Sequence, residues 1–326
     1  MLFFGIDISK LTFDVTVLSD DKSSHKKFSN NAQGFIVFHK WIKSFKSKNY
    51  ICMEATGVYG MYLASFLVKK NYKTIVSNPY KIKNFARMKM NRNKTDKADS
   101  LCIAQYCRNL YLEGEIENHI YRPKSKYYQR LQALVTRLEQ VNLIRIQELN
   151  HLESSLDVVS NKYITRAIKQ LEKQIIAIKT SIRECIKQDS KLKIQVQLLL
   201  TIKGIGEITA WSILGYLGDV SFFNTAGQVA SYAGVNPFVE DSGTSLKVSR
   251  LSKMGNKRLR KSLYMPAVVA MKHNPILIDF YERLLRNGKP KKVAICAVMR
   301  KLLVIAYGVL KSETEFDPNY NKLKNT

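Results

Sequence analysis

The feature that most constrains the fold of this chain is a long stretch without glycine or proline, residues 125–197. Apolar side chains recur there at steps of three and four residues, which places them on one face of a helix. They are Leu131, Leu134, Leu138, Val141 and Leu149, then Ile168, Leu171, Ile175, Ile178, Ile182 and Cys185. We predict two long amphipathic helices in an antiparallel coiled-coil hairpin, broken near 160–163, that act as a spacer or a dimerising stalk.

The residues before this stretch have the pattern of an α/β domain. Segments rich in β-branched and aromatic residues predict five strands, at 2–8, 12–18, 23–29, 50–55 and 73–78. Apolar residues at helical spacing predict helices at 32–45 and 59–70, and a last helix should run from near Thr95 to about Leu110. The predicted order is three strands, helix, strand, helix, strand, helix.

The region after the stretch opens with "LLLTIKGIGEITAWSILGYLG", in which apolar helical segments flank Gly204 and Gly206. This is the pattern of a helix-hairpin-helix. Its glycines allow either a backbone approach to a phosphate or a purely structural turn. We therefore predict three domains: an α/β domain at 1–115, a helical stalk at 116–197 and a mainly helical domain at 198–326.

The charge of the chain indicates a polyanionic partner. There are 53 Lys and Arg against 26 Asp and Glu, a formal net charge of +27. Either a nucleic acid or an anionic membrane surface would fit this excess. No apolar run is expected to reach the roughly 18 residues of a membrane span, and "MLFFGIDISK" does not resemble a secretory signal. Five scattered cysteines without a CxxC pair favour a reducing cytoplasm over a disulfide framework or zinc site. Nucleic acid is the favoured partner.

Four acidic residues lie where a metal site could form. Asp96 and Asp99 stand three apart in "NRNKTDKADSLCIAQY", at the start of a predicted helix that Thr95 can cap. Taken alone, they would be ordinary acids at the positive end of a helix dipole. However, Asp7 interrupts one predicted strand and Glu54 ends another. If these strands are neighbours and the helix packs over them, four carboxylates meet at one end of the sheet, and Mg²⁺ would relieve their repulsion.

Basic residues surround this acidic group and also fill the C-terminal region. From 247 to 261 there are seven Lys or Arg and no acid. Nearby, Ser242 precedes a glycine, and cations at this position could stabilise the charge on a phosphate under attack. The alternative is an ordinary turn serine on a phosphate-binding surface. The candidate nucleic-acid-binding residues are Lys81, Arg87, Arg92, Lys94, Gly204, Gly206, Lys247, Arg250, Lys253, Lys257, Arg258 and Arg260.

The motifs "GIDISK", "MEATGVY" and "NKTDKADSLCIAQY", followed by "GIG…ASYAGVNPF…DSG…LSKMGNKRLRKSLY", resemble the DEDD transposases of the insertion-sequence-110 family, whose relatives include Piv-type DNA invertases. The resemblance covers nearly the whole chain. It implies an RNase H-like, RuvC-like first domain in which a DEDD tetrad binds Mg²⁺, with Mn²⁺ as an alternative. The matching residues are Asp7, Glu54, Asp96 and Asp99. It also implies a nucleophilic serine that forms a covalent link to DNA. Ser242 matches this position, with Ser245 as a nearby competitor.

The same resemblance implies partners. They are donor and target DNA, a structured non-coding bridge RNA, and further copies of the chain in a dimer or tetramer with composite active sites. We expect a bacterial cytoplasmic protein, associated with the nucleoid when active, and no membrane partner. Two alternatives stay open from the residues: a RuvC-type junction nuclease that uses metal alone, and a non-enzymatic nucleic-acid-binding protein whose acids are structural.

Overall fold

The computed structural model of the protein describes residues 1–19, 22–55, 57–89, 95–242 and 245–319. The chain forms two compact units, Met1–Pro123 and Lys124–Thr326. The first is built on a mixed sheet with helices and the second is mostly helical, which confirms the predicted order of an α/β region before a helical one. The boundaries of the three predicted domains stay a prediction.

The first unit contains all five predicted strands, within one or two residues at their ends. They are β1 (Leu2–Ile8), β2 (Thr12–Ser19), β3 (Lys22–Ser29), β4 (Asn49–Glu54) and β5 (Lys73–Ser77). Their order in the sheet is β3-β2-β1-β4-β5. The β1–β2 and β2–β3 pairs are antiparallel, whereas β4 lies parallel to both β1 and β5. The first three strands thus form a meander, and helical crossovers add the last two.

Helices cover both faces of this sheet. They are α1 (Ala32–Ser44), α2 (Val58–Lys69), α3 (Pro79–Met88) and α4 (Asp96–Leu112). On one face, alternate residues of β1 such as Phe4 and Ile6 pack in a core with Phe38 of α1 and Leu63 of α2. The other face forms a second core that includes residues of α3 and α4. Successive side chains of β1 and β4 therefore point into different layers.

Helix α3 is missing from the sequence prediction, in which Pro79 served only to end a strand. The proline occupies the first turn of α3, where its missing N–H costs nothing. The Asn78 side chain caps the helix by accepting a hydrogen bond from the Tyr80 N–H at 2.9 Å. A proline after a strand is thus also a helix start signal when asparagine precedes it.

Helix α4 approaches the sheet very closely at Gly5 of β1. A Cβ on Gly5 would lie 2.1 Å from the carbonyl oxygen of Ser100 and 2.2 Å from the backbone nitrogen of Ala104. Beside it, the hydroxyl groups of Thr16 and Ser100 form a buried hydrogen bond of 2.7 Å. These contacts fix the position of α4 on β1 and β2.

Replacement of Gly5 by alanine should destabilise the first unit by about 3 kcal/mol, the upper end of overpacking effects, because backbone atoms of α4 must move. Urea unfolding of the full-length protein measures this change. Gly308→Ala is the matched control, since a Cβ there meets no atom within 4 Å. It should be neutral or stabilise by up to about 1 kcal/mol through helix propensity. Equal effects of the two substitutions would contradict the packing argument.

Besides one short 3-10 helix (Val220–Phe222), the second unit has nine α-helices and one hairpin among its described residues. They are α5 (Lys126–Ser154), α6 (Val158–Lys187), α7 (Ser190–Leu200), α8 (Glu207–Leu217), α9 (Ala226–Ala233), β6 (Pro237–Ser242), β7 (Ser245–Leu251), α10 (Lys257–Ser262), α11 (Tyr264–His273), α12 (Pro275–Arg286) and α13 (Lys291–Ser312). The β6–β7 hairpin was not predicted from the sequence.

The long helices α5 and α6 pack against each other as an antiparallel pair. Near the middle of α5 Arg145 pairs with Glu172, and near its start the carbonyl of Tyr127 contacts Cys185. The predicted break at 160–163 is wrong by a few residues, because Asp157 caps α6 by accepting the Ser160 N–H at 2.6 Å. The predicted apolar stripe from Ile168 to Cys185 lies within α6, which ends at Lys187, and α7 then begins as a separate helix.

Helix α13 packs in the core of the second unit. It is the one helix among the described residues that is long and apolar enough to cross a membrane by length and composition. Half of its most apolar 18-residue stretch is buried in the unit, and Val298, Leu302 and Leu303 are fully buried. The apolar composition of α13 is therefore that of a core helix, interrupted by Arg300 and Lys301.

Candidate active site

Two of the four predicted acids lie side by side at the carboxyl ends of parallel strands. Ile6 of β1 pairs with Met53 of β4, so Asp7 and Glu54 are the next positions in register. Ile6 and Met53 are buried in the core beneath α1 and α2. Because side chains alternate along a strand, Asp7 and Glu54 face the opposite side, which α4 covers.

The other two acids lie in the first turn of α4. Thr95 caps this helix: its side-chain oxygen accepts the Ala98 N–H at 3.1 Å, and its carbonyl accepts the Asp99 N–H at 2.8 Å. The predicted cap is thus confirmed. Asp96 and Asp99 are both first-turn acids of the helix. The close contact of α4 with the sheet brings this turn to the edge that carries Asp7.

The electrostatics of Asp7 link the four carboxylates. Burial is the largest cause that raises the pKa of Asp7 to about 6, followed by the negative charges of Asp99, Asp96, Glu54 and Asp14 in that order. The pKa of Glu54 is also raised, by burial and by Asp99. Asp7 and Glu54 therefore lie within range of repulsion by neighbouring carboxylates.

The four acids do not converge at ligand distance, however. Among the described residues, no group of three or more His, Cys, Asp or Glu side chains is arranged to hold a metal ion. The carboxylates are therefore close enough to affect the pKa of Asp7 but are not gathered around a single point. The donor set fits Mg²⁺ or Mn²⁺, because all its atoms are hard carboxylate oxygens and none is sulfur.

A fifth carboxylate, Asp14 of β2, was missed in the sequence analysis. It lies directly opposite Asp7 in the antiparallel register and is only 5% exposed. Its signal was the same as that of Asp7, an acid inside the predicted strand "TFDVTVL". Its partners His25 and Lys27 lie on β3 and could not be inferred without the strand register.

The predicted nucleic-acid-binding residues of the first unit lie on or after α3. Lys81 and Arg87 are exposed on that helix. Arg92 and Lys94 lie outside the described residues. Two exposed cations on one helix are consistent with a polyanion contact, and this role stays a prediction.

Both candidate serines lie in the second unit at the tip of the β6–β7 hairpin. Ser242 ends β6, Ser245 begins β7, and the two positions pair with each other. Two of the predicted nucleic-acid-binding residues, Lys247 and Arg250, lie on β7. There Arg250 is the strand-register partner of Phe238. The pairing of these two positions does not distinguish between the serines.

The cations that follow the hairpin differ in their surroundings. Lys253 and Lys257 are exposed. Arg258 pairs with Glu139 of α5 at 3.3 Å. Arg260 donates to the carbonyls of Ala233 and Lys253, at 3.1 and 3.2 Å, and so ties α10 to the end of α9. This contact gives Arg260 a structural role, whereas its role in nucleic-acid binding stays a prediction.

The two glycines of the turn between α7 and α8 also differ. Gly204 has φ +105°, and a Cβ there would lie 2.5 Å from the Cβ of Ala270. Close packing against α11 explains this glycine without a phosphate. Gly206 precedes α8 and a Cβ there would meet no atom within 4 Å. Phosphate contact therefore stays a prediction that Gly206 suits better than Gly204.

Comparison with known proteins identifies the family. A family model for the transposases of the IS116/IS110/IS902 family matches residues 196–282, and a DEDD-type IS110 transposase model matches residues 4–161. The pilin gene-inverting proteins of Moraxella lacunata and Moraxella bovis are each 35% identical over 321 residues, 97% of both chains. The chain belongs to the IS116/IS110/IS902 family of transposases. The resemblance noted from the sequence motifs is thereby confirmed.

The two matched regions of this transposase contain the four candidate metal-binding acids and the two candidate serines respectively. The first region contains the sheet with all four predicted acids, and the second contains the β6–β7 hairpin. A further relative, an uncharacterized protein of insertion element IS110 from Streptomyces coelicolor, is 29% identical over 120 residues, 37% of this chain and 30% of its own. Family membership makes the chain an enzyme of DNA recombination and argues against the non-enzymatic alternative.

Proposed function

We propose that this transposase excises and inserts a mobile element by exchanging DNA strands, guided by a bridge RNA. In this proposal Asp7, Glu54, Asp96 and Asp99 form a DEDD tetrad that holds Mg²⁺ or Mn²⁺, and Ser242 is the nucleophile. The observation that carries the proposal is the electrostatic coupling of the four carboxylates, in which the pKa of Asp7 is raised to about 6 by burial and by its acidic neighbours. A cluster of this kind costs stability and is typical of a functional site.

The chemistry assigned to this chain's own residues is a transesterification. The Ser242 hydroxyl oxygen forms a bond to the phosphorus, the bond from phosphorus to one deoxyribose oxygen breaks, and the serine proton leaves as the sugar hydroxyl forms. When bound, the divalent cation would supply charge neutralisation at the phosphate. The energy of the phosphodiester is kept in the serine–DNA link, so a sugar hydroxyl of another strand can reverse the step and release the serine.

We further propose that the first unit has an RNase H-like fold of the RuvC type. Its sheet order, β3-β2-β1-β4-β5 with β2 antiparallel, supports this assignment. The α5–α6 pair would be the coiled-coil stalk through which a dimer or tetramer assembles composite sites. The α7–turn–α8 segment would be the helix-hairpin-helix, in contact with a nucleic-acid backbone. DNA and bridge RNA both suit the net charge of +27.

Strand exchange with purified components tests this function. Full-length protein, RNA transcribed from the non-coding end of the element, and donor and target DNA should give recombinant joints in the presence of Mg²⁺. Excess chelator present from the start should prevent joint formation, and Mn²⁺ supplied in place of Mg²⁺ without chelator should support it, because the ligands are carboxylates. Omission of the RNA should also abolish joint formation. Joints that form without RNA, or in chelator, would refute the RNA-guided or metal-dependent part respectively.

A further inference from the structure

The buried acid Asp14 is bonded by two side chains of β3, His25 and Lys27. In the sheet it lies between Asp7 on β1 and Lys27 on β3, so that the three residues form a row across neighbouring strands. A buried carboxylate must be compensated. The Nε2 atom of His25 lies 2.9 Å from Asp14 Oδ1, and the Nζ atom of Lys27 lies 3.2 Å from Asp14 Oδ2. Asp14 therefore holds the ammonium group of Lys27 beside the proposed metal site.

The same ammonium group also contacts the proposed site. Lys27 Nζ lies 3.4 Å from Oδ2 of Asp96 in the first turn of α4. The other acids are linked mainly through Asp99, which affects Asp7 more strongly than Asp96 does, and which is the charged neighbour that raises the pKa of Glu54. Asp96 is therefore the acid of the tetrad that is directed toward β3 and held by a lysine.

We propose that Lys27, supported by Asp14, is a positioning residue that holds Asp96 in the metal-free protein and releases it when a divalent cation binds. The inference rests on the proposed function, in which Asp96 is a metal ligand. Two positive charges at one carboxylate repel each other, so the ammonium group of Lys27 and a bound cation compete for the charge of Asp96. Lys27 thus fixes the start of α4 before the metal arrives.

Linkage gives the proposal a quantitative consequence. A contact that exists only in the metal-free form opposes metal binding by its own free energy, and the coupling is reciprocal. The Lys27 and Asp96 side chains are 51% and 67% exposed. Exposed ion pairs of this kind correspond to factors of about 1.4 to 5 in an equilibrium constant. Removal of the contact should loosen the first turn of α4 and tighten metal binding by the same factor.

The test uses full-length Lys27→Met protein and two readouts that do not depend on activity. In chelator, hydrogen exchange of the Asp99 amide, which is bonded to the Thr95 carbonyl, should be about 1.4 to 5 times faster than in the parent. Mn²⁺ affinity, followed by electron paramagnetic resonance, should rise by the same factor. In saturating Mn²⁺ the exchange rates of the two proteins should become equal.

Two matched variants isolate the contact. Lys26→Met removes an equal charge from the neighbouring position of β3, whose side chain points to the other face of the sheet. It should match the parent in both readouts. Lys27→Arg keeps the charge and the reach, and should also match the parent. These controls separate the Lys27–Asp96 contact from the effect of net charge on cation binding.

The outcomes separate this inference from the proposed function. If the parent binds Mn²⁺ and Asp99→Asn abolishes binding, but Lys27→Met changes neither affinity nor exchange, the metal site stands and the role of Lys27 is refuted. Weaker Mn²⁺ binding in Lys27→Met would refute the proposal that Asp96 leaves Lys27 when the cation binds. If the parent binds no Mn²⁺, both the metal site and the proposed release of Asp96 from Lys27 are refuted. This holds even if hydrogen exchange of the Asp99 amide still reports the contact.

Discussion

Asp7→Asn should lower DNA strand cleavage by at least about 10³-fold, the scale of losing a group that stabilises transition-state charge, while the fold becomes more stable. Asparagine keeps the size of Asp7 but cannot carry the charge that a divalent cation requires. Cleavage of labelled donor DNA by the full-length protein with its RNA, in saturating Mg²⁺, measures the loss. Asp279→Asn removes a charge from an exposed position of α12 and should cleave like the parent.

The expected gain in stability follows from the pKa of Asp7. It is raised to about 6 in the folded protein from an ordinary value of 3.8. The folded state therefore holds this proton more tightly than the unfolded state, so the favourable contribution of Asp7 is present below pH 3.8 and is lost as pH rises through 6. In chelator, Asp7→Asn should be more stable than the parent at pH 7.5, with the difference shrinking toward pH 4.

Urea unfolding in chelator at several pH values measures this difference. A variant can lose activity because it unfolds rather than because a metal ligand is missing. The stability measurement distinguishes these two causes. A destabilised Asp7→Asn protein at pH 7.5 would contradict the view that repulsion among the carboxylates opposes folding. Full cleavage by a stable Asp7→Asn protein would refute the metal-binding role.

The sheet and its acids could be predicted because each left a local signal. Three patterns are visible in the sequence alone. They are an aspartate inside an apolar strand, a glutamate at the end of another strand, and an acidic pair that follows a helix-capping residue. Asp14 left the same signal as Asp7 and was overlooked. By contrast, the contact from Lys27 to Asp14 and Asp96 depends on strand register and on the depth at which α4 packs, and neither is encoded in a local pattern.

For a similar reason, the sequence does not show which residues in a run of cations support the fold. Arg260 and Lys253 look alike in the sequence "LSKMGNKRLRKSLY", yet the guanidinium of Arg260 binds backbone carbonyls and Lys253 is exposed. Composition shows that the surface is positive as a whole. Which cations serve the fold depends on the turn that brings α9 beside α10, and this turn could not be inferred from the charges.

Ser242→Ala should reduce the covalent protein–DNA adduct by at least about 10³-fold, to the limit of detection, because alanine has no oxygen to form the link. Radiolabelled DNA that co-migrates with protein on a denaturing gel measures the adduct, and mass spectrometry of the trapped peptide identifies the modified side chain. DNA binding should be unchanged, since the substitution removes one hydroxyl group and no charge.

Ser245→Ala is the matched control, because positions 242 and 245 pair across the same hairpin. It should retain the adduct. The reverse result, with loss in Ser245→Ala alone, would move the nucleophile to the partner strand and keep the rest of the mechanism. Strand cleavage that continues in both variants without any adduct would instead favour a metal-only nuclease, in which water replaces the serine as the attacking group. The hairpin would then serve DNA binding alone, and strand exchange would need free ends that the serine mechanism avoids.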